Sequence, residues 1–206
     1  MLIKREYYLS KIRPFYGKEV IKVITGQRRS GKSSILHLIQ DELRENSEFK
    51  KVIYINKELH EFNHIRTSED LVNYVKKFGS KIGRTALFID EIQDIHEFET
   101  ALRGFLAEGI YDIYCSGSNS NLLSGELATL LSGRFIELRV YTLTYSEFLI
   151  FHNKKSGDES LNEYFQFGGL PFLRNIELTQ EITKEYIDGI YKTVLLKDII
   201  NRYNVR

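Results

Sequence analysis

The 206-residue chain is 42% hydrophobic and 28% charged, which suits a globular protein with a substantial core and room for one α/β domain plus a small appendage. A net charge of +1 argues against a broad nucleic-acid-binding face, which usually leaves a domain clearly basic, although a local patch is compatible with it. Cys115 is the single cysteine and can form no intrachain disulfide, and no apolar run approaches the roughly 20 residues of a membrane helix, so the expectation is a cytoplasmic chain without a membrane partner.

The first apolar run, residues 20–25, reads as a buried strand, and it leads directly into GQRRSGKSS, Gly26 to Ser34. Gly26, Gly31, Lys32 and Ser33 satisfy the pattern GxxxxGK followed by Ser or Thr. In this pattern a strand turns sharply, and the backbone N–H groups of Gln27, Arg28, Arg29, Ser30 and Gly31 are available to curl around phosphates. A helix then starts at Lys32 and presents its positive end to the same anion, with Ser34 in its first turn. Lys32 is expected to reach the β and γ phosphates, and the Ser33 hydroxyl to ligate Mg²⁺. Ile35, Leu36, Leu38, Ile39 and Leu43 stripe the buried face of that helix.

A second strand is expected over 51–56. The segment after it, HEFNH from His60 to His64, fits the HExxH pattern of zinc proteases, with Glu61 as the base. That chemistry needs both histidines on one helix. The next helix instead starts afresh at Thr67, whose spacing to Asp70 resembles a capping box ahead of Leu71, Val75 and Phe78, so His60 and His64 are read as loop residues. The near match NKEL at 56–59 to the guanine-reading NKxD ends in Leu59 where a carboxylate is needed, and adenine is favoured.

The third strand, 85–90, ends in the carboxylates Asp90 and Glu91 within ALFIDEIQ. On their own these read as a solvated strand end. Beside the phosphate loop, Asp90 is expected to hold magnesium through water, and Glu91 to orient and deprotonate an attacking water. A helix striped by Phe98, Ala101, Leu102, Phe105 and Leu106 stops at Gly109, and a fourth strand covers 110–116. It runs into CSGSNS, where Ser118 or Asn119 is a candidate to contact the γ-phosphate or the water, with ordinary turn chemistry as the alternative. Gly133 stands where another helix should stop, and the fifth strand is 135–140. These five strands fit one sheet with helices on both faces, in a core spanning 1–142. A small helical lid follows over 143–206, broken around GGLPF at 168–172. The last helical stretch, from about Gln180, carries no capping signal, which leads us to expect a further domain beyond it.

With these residues in hand, the sequence resembles the prokaryotic AAA+-related ATPase family AAA_14, whose members commonly carry a further C-terminal domain called DUF4143. The resemblance covers nearly the whole chain and rests on GQRRSGKSS, LFIDEIQ, CSGSNSNLL, LSGRF followed by LTYSEFL, and GGLP. It implies a P-loop NTPase fold with a five-stranded parallel sheet in the order 5-1-4-3-2, binding of ATP or ADP with Mg²⁺, and a sensor residue on strand 4. It further implies that Arg134 is an arginine finger, with a surface cation as the alternative, and that Leu170 and Pro171 form an element that feels the bound nucleotide. A finger acting on a neighbouring copy would make the protein a homo-oligomer. Two departures stand out: Tyr141-Thr142-Leu143-Thr144 replaces the usual Tyr-Pro-Leu-Ser, and the usual C-terminal domain is not in this sequence. The expected activity is an ATPase whose turnover rearranges a macromolecular partner or attached domain. The alternative is a nucleotide switch that hydrolyses slowly.

Overall fold

Residues 2–80, 82–117 and 133–194 are described in a computed structural model of the chain. They fall into two compact units that divide between Tyr141 and Thr142. In the first unit the strands are β1 (Ile21–Thr25), β2 (Phe49–Asn56), β3 (Arg84–Asp90), β4 (Tyr111–Ser116) and β5 (Phe135–Arg139). All neighbouring pairs run parallel, in the order β2-β3-β4-β1-β5, which is the order implied by the family resemblance.

Strand alternation sends side chains to two faces. Val23, Ile55, Leu87, Ile89, Ile113 and Cys115 pack with α3 (Ser68–Phe78) and α4 (Phe98–Glu108) in one cluster. Ile24, Phe88, Tyr114 and Leu138 pack on the other face with α1 (Glu6–Ile12) and α2 (Lys32–Arg44). Helices on both faces bury nearly all of the central strands, which is why β1, β3 and β4 read as largely apolar runs. Thr67 caps α3 through the reciprocal box its spacing predicts: its Oγ1 accepts from Asp70 N at 3.2 Å, and its own N–H donates to Asp70 Oδ2 at 3.0 Å. Gly109 ends α4 in the left-handed conformation, φ +68°.

The end of the sheet away from the phosphate loop is tied by a buried ion pair between inner strands that the sequence reading passes over. Lys22 on β1, with no exposed surface, donates to Asp112 on β4 and to the Lys18 carbonyl at 2.9 Å. Asp112 also accepts from Gly17 N at 2.9 Å and Tyr114 OH at 2.8 Å. Burial lowers the Lys22 pKa while the adjacent carboxylate works to raise it. Saturating Asp112 with donors is what makes burying two charges tolerable.

The second unit contains α5 (Tyr145–Phe151), α6 (Asp158–Phe167), a 3₁₀ turn Pro171–Asn175 and α7 (Gln180–Val194). Thr144 caps α5 in a second reciprocal box with Glu147, so the threonine at this departure from the family pattern has a local structural role. Phe148 is fully buried against the rings of Tyr164 and His152. The Gly169 carbonyl accepts the Leu143 N–H at 2.6 Å, and the Leu143 backbone lies so close that a Cβ on Gly169 would collide with it.

Candidate functional site

The loop after β1 adopts a shape that its glycines permit. Gly26 has φ +138°, and a Cβ on it would run into the Val140 carbonyl oxygen, because the chain after β5 lies alongside, its Val140 N donating to Thr25 O at 2.7 Å. Arg29 and Gly31 also take positive φ, +65° and +98°. Ser30 is fully buried, its N–H donating to Gln27 O at 3.3 Å, and its Oγ has no hydrogen-bond partner. From outside the loop, Arg5 donates to the Ser30 carbonyl at 3.0 Å, with its guanidinium 4.5 Å above the Tyr8 ring. Gln27 and Arg29 are exposed and Arg28 is half-buried.

Lys32 opens α2 but is only 5% exposed, and its Nζ donates to the carbonyls of Gly26 and Gln27, each at 3.2 Å. Burial lowers its pKa, Glu91 and then Asp90 act to raise it, and Arg28 acts to lower it. The amine therefore feels both carboxylates of the third strand's end. Ser33 and Ser34 sit half-buried in the first turn of α2.

Asp90 ends β3 with no exposed surface. Two flanking strands satisfy it: Ser116 of β4 donates to Oδ1, and the Tyr54 hydroxyl of β2 donates to Oδ2 at 3.2 Å. Burial, followed by the Asp90 charge, pushes the Tyr54 hydroxyl far above its usual range, so it stays a donor. Glu91 follows with φ +57°, a left-handed conformation that is uncommon for a side-chain-bearing residue. Its N–H donates to Ser116 Oγ at 3.2 Å, and its Oε2 accepts from Gln93 Nε2 at 2.5 Å. One serine hydroxyl thus fixes both members of the acidic pair.

These groups suit a nucleoside triphosphate with magnesium. A strained glycine loop, a helix N-terminus and a buried amine meet the phosphates. The hydroxyl of Ser33 and the carboxylate of Asp90 are the hard oxygen donors that magnesium takes. Because both Asp90 oxygens already accept hydrogen bonds, contact through a coordinated water fits better than direct ligation.

Ser118 and Asn119 lie outside the described residues. Arg134 is exposed just before β5, where its carbonyl accepts from Ile21 N at 3.0 Å. That places its backbone at the opposite end of β1 from the phosphate loop, about 16 Å away along the strand at a rise of about 3.3 Å per residue. Pro171 starts the 3₁₀ turn of the second unit. His60 and His64 fall on a 3₁₀ turn, His60–Phe62, and just after it; both are exposed, and His64 Nδ1 lies 2.8 Å from the Glu61 carbonyl. Among the described residues no group of three His, Cys, Asp or Glu side chains could hold a metal. The helix that a zinc-protease reading of HEFNH needs does not form.

Sequence reading missed Ser116, Tyr54 and Gln93. Ser116 is the first polar residue closing an apolar strand, which is the one local signal it offers. Tyr54 resembles an ordinary core residue until strand register brings it to Asp90, and Gln93 an ordinary turn residue until the 3₁₀ turn sets its amide against Glu91.

The family model described as AAA domain, AAA_14, matches residues 18–149. An uncharacterized protein of Haemophilus influenzae is 36% identical over 212 residues, covering 100% of this chain and 52% of the relative. An uncharacterized protein of Methanocaldococcus jannaschii is 36% identical over 202 residues, covering 90% and 43%. The chain therefore spans about half the length of the curated relatives it matches. Among solved structures, the Aeropyrum pernix ORC1 protein in complex with DNA superposes with a TM-score of 0.53 at 13% identity, covering 92% of this chain and 66% of that one. The Saccharomyces cerevisiae Hsp104:casein complex gives 0.53 at 16%, covering 84% and 36%. These two likenesses concern the fold. Among the described residues no helix is long and apolar enough to cross a membrane.

Proposed function

The chain belongs to the AAA_14 family of AAA domains, and from that premise we propose that it binds ATP with Mg²⁺ at the Gly26–Ser34 loop and hydrolyses it. We further propose that turnover rearranges a macromolecular partner or an attached domain. The observation that carries the reading is the convergence on Lys32: a buried amine hydrogen-bonded to two loop carbonyls and acted on by both Asp90 and Glu91. An amine so placed exchanges the carbonyls of Gly26 and Gln27 for phosphate oxygens when nucleotide enters.

In this mechanism the loop N–H groups bind the phosphates, and Ser33, with Asp90 through water, would hold the metal, which when bound would neutralise charge on the β and γ phosphates. Glu91 takes the proton of the attacking water, and Ser116 and Tyr54 hold Asp90 in place by donating to its two oxygens. Protein dipoles fixed by strand register need no rearrangement as charge develops.

Calorimetric titration with ATP and magnesium tests the reading. Wild type binds, and Lys32→Ala, folded by circular dichroism, loses measurable binding. Equal affinity in the two proteins would remove the reading.

A further inference from the structure

The Glu91 carboxylate is gripped by a residue that the mechanism above does not use. Gln93 lies two residues beyond Glu91, within the 3₁₀ turn Ile92–Asp94, and its Nε2 stands 2.5 Å from Glu91 Oε2. The turn is rigid: Asp94 N donates to Glu91 O at 3.2 Å and Ile95 N to Ile92 O at 3.0 Å, while Ile92 and Ile95, on either side of Gln93, are sunk in the core at 0% and 1% exposure. The backbone therefore dictates where the amide stands.

The direction in which the amide points is fixed as well. Turning it over would set its carbonyl oxygen against the carboxylate, and two acceptors repel. With Nε2 on Glu91, the Gln93 Oε1 is buried and has no hydrogen-bond partner. A buried carbonyl without a donor lowers stability. Glutamine at 93 is thus a poor choice for the turn itself, and its polar contact is directed at Glu91, through a charge-assisted bond of the strong class.

Resting on the ATPase reading above, we propose that Gln93 is a positioning residue for hydrolysis: it pins one oxygen of the Glu91 carboxylate and so sets the direction in which that group presents itself to the attacking water. The left-handed backbone at Glu91 and the Ser116 bond to its N–H fix the residue at its root, and Gln93 fixes it at its tip. A glutamate side chain otherwise turns about three bonds. Held at both ends, it meets the water in one orientation, and small misplacements of such groups cost about 10²-fold in rate.

The test uses Gln93→Met, which keeps length and loses the donor. We expect its kcat for ATP to fall about 10- to 100-fold while the ATP dissociation constant and KM stay within about twofold of wild type. A second readout needs neither turnover nor the folding of Gln93→Met, and uses Glu91→Ala shown to be folded by circular dichroism. In nucleotide-free protein the Gln93 side-chain NH₂ resonances should be displaced from the ordinary glutamine position, and should return to it in Glu91→Ala. Wild-type or raised turnover in a folded Gln93→Met protein overturns the proposal, as does an NH₂ resonance indifferent to Glu91→Ala; either result leaves the ATPase reading intact. Failure of wild type to bind ATP would instead remove that reading, and the proposal with it.

Discussion

The Lys32 ammonium lies 3.2 Å from the carbonyl oxygen of Gly26, at the start of its own loop, so the cation that the phosphates require is already hydrogen-bonded to the turn that would receive them. Burial lowers its pKa below the ordinary lysine value of 10.5. Phosphate charge acts in the opposite direction, so the pKa in the nucleotide complex is higher than in the free protein. Between the two values ATP binding takes up a proton, and affinity falls as pH rises through the free-protein pKa. Calorimetry across a pH series, in buffers of differing ionisation enthalpy, should record net proton uptake between the two values that fades as pH falls below the free-protein value. No buffer dependence at any pH would contradict this.

Ser116→Ala removes the donor to Asp90 Oδ1 and the acceptor of the Glu91 N–H together. An unsatisfied buried group costs about 1–3 kcal/mol, so the melting temperature should fall measurably. Turnover should fall as well, because both carboxylates lose a fixed neighbour. Thermal melts together with an ATPase assay check the two effects on one preparation. A variant as stable and as active as wild type would show that Asp90 and Glu91 are held by other means.

Much of the fold was legible because its determinants are local. Strands buried on both faces appear as apolar runs, and the expected limits fall within two residues of β1 to β5. The Thr67 box is a three-residue relationship, and the glycine loop is contiguous. What was not legible depends on register. Tyr54 reaches Asp90 because β2 pairs with β3, and Ser116 reaches it because β4 lies on the other side. Neither distance can be counted along the chain. The same holds for Lys22 and Asp112, 90 residues apart, which sit in strands whose burial leads one to expect apolar side chains.

Arg134 stands at the far end of the sheet from its own subunit's phosphate loop, so any action on a γ-phosphate must be directed at a neighbouring copy. A finger of this kind is worth about 10³ to 10⁵ in rate. Arg134→Ala should bind ATP normally and hydrolyse it poorly, and wild-type specific activity should rise with protein concentration. Mixing Arg134→Ala with Glu91→Gln should restore part of the activity, since one mixed interface joins an intact base to an intact finger. Specific activity independent of concentration, with undiminished turnover in Arg134→Ala, would leave Arg134 a surface cation.

Single-turnover hydrolysis of γ-labelled ATP by wild type and Glu91→Gln, with magnesium present, tests most directly whether this site hydrolyses ATP with Glu91 as the base. The amide keeps the shape of the carboxylate but cannot take the proton of water, and general-base catalysis contributes about 10²–10⁴-fold. The account predicts that Glu91→Gln binds ATP as tightly as wild type, retains it, and releases phosphate slower by that factor. Equal rates of phosphate release from the two proteins would contradict it.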